Sequence, residues 1–356
     1  MFLIITRNFP PDIGGIENVV GQLSEEMSLR GNSVYVLSTT NDKKRVGVEK
    51  LSDFLRVERI PAFSPKGAYH FPIGLRRRMR QIRGDFDIIH AHGYHSFPGL
   101  VAYANRGSTP FVFSCHYHRK SHKFFRNMLL IPYRKIAKRM VNGSDCVFCV
   151  SKAEKELVIH DFSPKKCEVL HNGVSIEEVD SSIGKRQESL VMIGRLERYK
   201  NHHIAIESLT KIPTICLDII GDGPEYSRLE KMVISNGLET RVKFHRGVTE
   251  KKKMKILTRS SALLTLSDHE SFGLVILEAA SVGTSVIASK IPSHEEISAK
   301  LETGVTLVNT NSIEEITQAI RESLDWRDSE INENIEKFHW RKIADEYLVL
   351  YGEIIK

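Results

Sequence analysis

Short runs of consecutive apolar residues recur along the chain, each closed by a polar or glycine-rich tip and followed by a stretch of helical period. In the first half these runs are FLIIT, residues 34–37, residues 55–60, FDIIHAH, PFVFS and DCVFCVS. In the second half they are SLVMIG, ICLDIIG, VKFHRG, ALLTL, TSVIAS and GVTLV. Apolar on both faces, they read as strands covered on both sides rather than as half-exposed ones. Helical patterns at 16–30, 202–209, 225–235 and 313–324 alternate with them, and Ser151 caps a helix through KAEKELVIHDF. IGLRRRMRQIRG predicts a short basic helix, and 335–356 a last one, with Trp340, Ile343, Ala344, Tyr347 and Tyr351 at helical spacing. Strand–helix alternation in both halves predicts an α/β chain of two doubly wound, Rossmann-like domains facing each other. Asn172-Gly173 forms a turn, and the polar stretch GVSIEEVDSSIGKRQES after it is the linker candidate. The expected domains are 1–172 and 173–335.

Composition narrows the class without changing that picture. A chain of 356 residues fits two domains, and 41% hydrophobic with 27% charged residues is ordinary for a soluble globular protein. The opening MFLIITRNFPPD lacks a basic n-region, and no run approaches the roughly 18 apolar residues of a membrane span, so the expected compartment is the cytoplasm. Cys146 and Cys149 form a C-x-x-C inside an apolar strand, on opposite faces and without a second pair, which favours core over zinc. The net charge of +7 is uneven: residues 59–139 hold sixteen Lys or Arg against two acids, Asp85 and Asp87. One domain carries the positive field.

Candidate chemistry collects at the strand tips. In the second half they are IGRLERYKN with Arg195 and Lys200, IIGDGPE with Gly221 and Gly223, HRGVT with Gly247, and SDHESFGLVILEAASVG with Glu270 and Glu278. Tips of a parallel sheet share one edge. Cations, glycine loops and a helix start suit a diphosphate, and carboxylates suit hydroxyl groups. A nucleotide sugar carries both. In the first half, Gly14-Gly15 precedes a helix and either approaches an anion or merely turns the chain. His90, His92 and His95 alternate near a strand end and raise a metal site, but no acidic or cysteine ligand lies close in sequence. The tip Cys115-His116-Tyr117-His118 ends the next strand.

Taken in order, PPDIGGIENVV, HAHGYH, the His116 tip, Val150-Ser151, HNGVS, IGRLERYKN, IIGDGPE, ESFGLVILEA and FHWRKIADEYLVLY resemble the retaining GT-B glycosyltransferases of family 4, the glycosyl transferases group 1. Their signature of two glutamates with seven residues between them matches Glu270-SFGLVIL-Glu278. The resemblance implies two Rossmann-like domains across a cleft, the last helix (336–356) crossing back to the first. It implies that Arg195 and Lys200 neutralise a donor diphosphate, that Glu270 accepts from sugar hydroxyls and Glu278 from a ribose, and that backbone at Phe272, Gly273 and Leu274 meets sugar and phosphate. Gly14 and Gly15 are then expected at the diphosphate, His116 at the sugar, and Gly221, Gly223 and Gly247 around the base. The implied reaction is hexose transfer from a UDP- or GDP-linked sugar to an acceptor hydroxyl, with retention, no metal and no cofactor.

The first half binds acceptors in this family. Arg76, Arg77, Arg78 and Arg80, and Arg119, Lys120, Lys123 and Arg126 within RKSHKFFRNMLLIPYRKIAKRM, are candidates for a glycan or lipid-linked acceptor or an anionic membrane face. A solvated basic back on a core-facing helix is the competing reading. A nucleic-acid-binding protein would leave Glu270 and Glu278 unexplained, and another GT-B enzyme such as a nucleotide-sugar epimerase also remains open. A nicotinamide oxidoreductase is disfavoured, since Gly221-Asp222-Gly223 lacks the third glycine of the dinucleotide fingerprint.

Overall fold

The computed structural model describes residues 1–12, 14–64, 70–94, 96–117, 124–176, 187–325 and 332–356, with backbone alone for 124–132, 187, 188 and 325. Two compact units emerge: Met1–Gly173 together with Trp340–Lys356, and Val174–His339.

The first unit is built on strands β1 (Phe2–Ile5), β2 (Val34–Thr40), β3 (Gly47–Lys50), β4 (Leu55–Phe63), β5 (Phe71–Pro72), β6 (Ile88–His92), β7 (Phe111–Ser114), β8 (Cys146–Cys149) and β9 (Cys167–Val169). Among the described residues they form one sheet in the order β3-β4-β2-β1-β6-β7-β8-β9, with β5 on β4. β3 and β5 run antiparallel to β4; the other pairings are parallel. Every residue of β1, β2, β6, β7 and β8 is buried, which is why these strands read as unbroken apolar runs. Helices α1 (Gly15–Leu29), α2 (Leu75–Ile82), α3 (Phe97–Asn105), α4 (Phe124–Gly143) and α5 (Lys152–Asp161) make the connections. Ser151 caps α5 by accepting from the Glu154 N–H. β3 and β5 escaped the sequence reading: β3 is short, exposed and half polar, and β5 is only two residues long.

The second unit has β10 (Gln187–Ile193), β11 (Cys216–Ile220), β12 (Val242–His245), β13 (Ser260–Thr265), β14 (Ser285–Ser289) and β15 (Val305–Val308), all parallel, in the order β12-β11-β10-β13-β14-β15. Its helices are α6 (His202–Leu209), α7 (Tyr226–Ser235), α8 (Glu250–Arg259), α9 (Leu274–Ser281), α10 (Pro292–Leu301) and α11 (Ile313–Asp325). This is the doubly wound Rossmann order, whose direction reverses between β10 and β13. Ligands of such sheets lie at the carboxyl ends of the strands flanking that reversal.

The last segment is not one helix. A 3-10 turn at Glu333–Phe338 precedes α12 (Trp340–Ile355), and His339 between them is extended. The cause is pairing: the Val174 N–H donates to the Phe338 carbonyl, and Val174 and His339 form a parallel bridge. Backbone engaged sideways cannot continue a helix. α12 itself belongs to the first unit and buries Trp340, Ile343, Ala344, Tyr347 and Tyr351 there. Tyr351 meets Phe2 edge-on at 5.1 Å, and Arg30 donates to Asp345 at 2.6 Å. Gly173 has no room for a side chain, because a Cβ would enter the Trp340 indole.

Candidate active site

The reversal point of the second unit brings together the loop after β10 (194–201) and the turn after β13 (266–273). Their backbones are tied directly: the Asp268 N–H donates to the Tyr199 carbonyl at 2.8 Å. Asn201, in left-handed geometry at φ 54°, donates from Nδ2 to the Leu266 carbonyl at 2.9 Å and to Asp268 Oδ1 at 2.6 Å. Tyr199 stacks on His269 at 4.5 Å. The consequence is that Lys200 and Glu270, 70 residues apart in sequence, form an ion pair and hydrogen bond, with 16% and 19% of their side chains exposed. Ser267 Oγ donates to Glu270 Oε1 at 2.8 Å.

Burial disfavours both charges, yet the pair sustains them. The Glu270 carboxyl is pushed up by burial but ends below the usual carboxylate range, held down by Lys200, by His294 and by the Lys200 and Ser267 hydrogen bonds. Burial pulls Lys200 down, and the Glu270 charge more than restores it. Lys200 is thus already neutralised. Arg195, by contrast, is 74% exposed and pairs with its near neighbour Glu197 at 3.0 Å.

Glu270 sits one short turn before α9. Gly273, at φ 122°, precedes that helix, and a Cβ there would stand 3.2 Å from His294 Cδ2. His294 is fully buried and anchored through Nδ1 to Ser289, while its Nε2 has no hydrogen-bond partner among the described residues. Burial keeps its pKa at about 4, so at neutral pH the imidazole is uncharged. A helix start and a carboxylate beside it suit a polyhydroxylated, anionic ligand, with the buried His294 imidazole packed behind them. Phe272 is buried against Phe338 at 6.3 Å, and Leu274 opens the helix.

Glu278, within α9, pairs with Lys253 of α8 at 2.9 Å, both side chains about nine-tenths buried. Sequence reasoning missed Lys253: in EKKKMK it looks like any solvated lysine, and only the packing of α8 on the sheet turns it inward. His294 was likewise missed, since a lone histidine in PSHEEI carries no signal.

Gly221 and Gly223 serve loop packing. A Cβ on Gly221 would overlap the Gly194 carbonyl oxygen, and one on Gly223 would lie 2.5 Å from that of Leu196. The Leu196 N–H donates to the Asp222 carbonyl and the Glu225 N–H to that of Leu196, both at 3.0 Å. Gly221→Ala is therefore expected to destabilise the second unit by about 3 kcal/mol, from overlap plus a φ of 153° that disfavours a side chain. Urea unfolding checks this, and an unchanged midpoint would refute it. Gly247, at φ 62°, has open space around it.

In the first unit, the strand order again reverses between β1 and β6. Gly14 precedes α1, and Gly15 begins it. A Cβ on Gly14 would collide with the carboxylate of Glu17, which folds back over the helix start and accepts from Asn8 Nδ2 at 3.1 Å. His92, at the end of β6, is buried and lies 3.4 Å (Nδ1) from His116 Nε2 after β7. His116 itself has φ 49°, and burial lowers its pKa to about 4. His90 is not available to a ligand, since Tyr351 Oη at 2.5 Å and Ser114 Oγ at 2.8 Å occupy its nitrogens. Buried Glu154 accepts from the Tyr117 and Val150 N–H groups and so clamps both strand ends.

The basic candidates divide. Arg78 is a structural ion-pair partner, at 2.8 Å from Glu58 and 3.2 Å from Tyr35 Oη, and Arg80 donates to Asn105 Oδ1 at 3.1 Å. Arg76 and Arg77 are exposed and make no ion pair among the described residues. Arg119, Lys120 and Lys123, the Arg126 side chain, His95 and His118 lie outside the described residues.

Family models match almost the whole chain: Glycosyltransferase Family 4 over residues 13–178 and Glycosyl transferases group 1 over residues 175–338. The chain is 27% identical to the phosphatidylinositol N-acetylglucosaminyltransferase GPI3 subunit of Saccharomyces cerevisiae, over 97% of this chain and 81% of that one. It is 23% identical to the GDP-mannose:cellobiosyl-diphosphopolyprenol alpha-mannosyltransferase of Xanthomonas campestris, over 98% and 95%. Its fold matches HepE of Anabaena in complex with UDP-glucose, with a TM-score of 0.75, 17% identity and 99% of each chain covered. On the two successive family matches and the paired Rossmann-like units, the chain belongs to the GT-B glycosyltransferases of group 1, family 4 type.

Proposed function

We propose that the protein transfers a hexose from a nucleoside diphosphate sugar, UDP- or GDP-linked, to the hydroxyl of a lipid-linked or glycan acceptor, with retained anomeric configuration and without a metal. The observation that carries this reading is the Lys200–Glu270 pair set at the reversal point beside the start of α9. Glu270, ionised and fixed by three neighbours, accepts hydrogen bonds from sugar hydroxyls. Arg195 swings onto the diphosphate, and the α9 start adds its N–H groups, so charge developing on the leaving group meets preorganised donors. In this reading Glu278, held by Lys253, accepts from a ribose hydroxyl. The GPI3 subunit and the mannosyltransferase are named for lipid acceptors, which supports a lipid-linked acceptor here. No helix among the described residues is long and apolar enough to cross a membrane, so we place the enzyme on the cytoplasmic face as a peripheral protein. An epimerase or a nucleic-acid-binding protein is not favoured by these relatives.

The test is a thermal-shift screen against UDP-glucose, UDP-GlcNAc, UDP-galactose and GDP-mannose. One donor at 100 times its Kd is expected to add about 2.7 kcal/mol of stability, with the same shift in excess EDTA. No shift with any donor at millimolar concentration would overturn the reading, and a shift abolished by EDTA would overturn the metal-free mechanism.

A further inference from the structure

The first unit exposes an apolar tip at the same sheet edge as its candidate site residues. β4 runs parallel to β2, so Phe63 at its end lies at the carboxyl edge, where His92 and His116 also stand. β5 pairs back on it with Phe71 opposite Phe63. Phe63 is 64% exposed, Phe71 41% and Ile73 60%. Large apolar side chains grouped in this way on a soluble surface mark a contact site. The tip is not a loose end: Phe71 packs on Phe97 at 4.6 Å, and Phe97 on Tyr133 of α4 at 5.6 Å, so it rests on the unit's core.

The charges beside it choose the partner. α2 follows Ile73 and Gly74, anchored by buried Leu75, Met79 and Ile82, and exposes Arg76 and Arg77, neither of which makes an ion pair among the described residues. Glu58 of β4 is engaged by Arg78 and Tyr35. On α4, which Tyr133 joins to this face, Arg134, Lys135, Lys138 and Arg139 are exposed around exposed Ile136. Exposed apolar side chains that can enter an acyl boundary, followed directly by cations that make no ion pair among the described residues, match an anionic lipid surface in both respects.

We propose that the tip formed by Phe63, Phe71 and Ile73, flanked by Arg76 and Arg77, docks this protein on an anionic lipid bilayer. Docking at the carboxyl edge would present lipid head groups to the His92–His116 side of the unit. The proposal rests on the lipid-linked acceptor reading above, and it deepens that reading by naming the surface that meets the lipid.

The experiment is co-sedimentation of the full chain with vesicles of phosphatidylcholine alone and with phosphatidylglycerol added, at low and high salt. Wild type is expected to pellet with the anionic vesicles only, and less so in high salt. The double variant Phe63→Ser/Ile73→Ser and, separately, Arg76→Glu/Arg77→Glu are each expected to lower partitioning about tenfold or more. A tryptophan at position 73 (Ile73→Trp) should shift its emission to the blue on anionic vesicles. The serine variant must keep wild-type melting behaviour and the donor-induced thermal shift, which separates loss of docking from misfolding and from failure of the donor reading. Equal pelleting with neutral and anionic vesicles, undiminished pelleting of both variants, or an unshifted tryptophan would overturn the proposal. So would a change from dimer to monomer in the serine variant with vesicle binding intact, since the tip would then be a contact between copies.

Discussion

Replacing Glu270 by glutamine is expected to lower kcat/KM for sugar transfer by about 100- to 1000-fold, while the folded protein loses far less. A group that hydrogen-bonds the reacting sugar in a preorganised, water-poor site contributes on the order of 3–4 kcal/mol to the transition state. Glutamine keeps the shape and the contact with Ser267 but removes the charge that balances Lys200. Lys200 retains about one-sixth of its side chain in solvent, so the loss of its partner costs stability only in part. Steady-state kinetics beside urea unfolding decides it. A variant as active as wild type would remove Glu270 from the site, and one that fails to fold would make the pair a structural element.

Acidification is expected to unfold the protein steeply between pH 6.5 and 4. His202 and His294 in the second unit are 3% and 0% exposed, and burial holds both pKa values at about 4. An unfolded chain takes up protons at these residues below about 6.5, while the fold refuses them. Their contribution is therefore fully present above pH 6.5 and lost as pH falls toward 4. Each shift corresponds to about 3 kcal/mol, with a slope of about 1.4 kcal/mol per pH unit per histidine. Two such residues together approach the whole stability of an ordinary domain. In the first unit, His90 at about 3 acts in the same direction. Glu154 acts in the other: burial raises its carboxyl to about 7, so acid relieves the cost of its charge. Urea midpoints at pH 8, 6 and 5 measure the slope, and His294→Leu should flatten it. A midpoint that rises on acidification would refute the argument.

The sequence determined the class and the cast. Apolar runs without alternation announced strands covered on both faces, and their alternation with helical periods announced two doubly wound sheets. The spacing Glu270-x7-Glu278 and the ordered motifs named the family before any coordinate was needed. Such signals are local, and local physics writes them: side-chain period, capping, glycine before a helix.

Tertiary structure decided who holds whom. That Lys200 is paired with buried Glu270, while Arg195 stays largely exposed on Glu197, follows from two loops meeting where the strand order reverses. That Lys253 turns inward to Glu278 follows from how α8 lies on its sheet. Arg78 and Arg77 are adjacent and identical in sequence, yet one is locked to Glu58 and the other faces solvent. The break at His339 comes from a bridge to Val174, 165 residues away. Pairings of this kind depend on distances across the fold, which a one-dimensional pattern of polar and apolar positions does not contain.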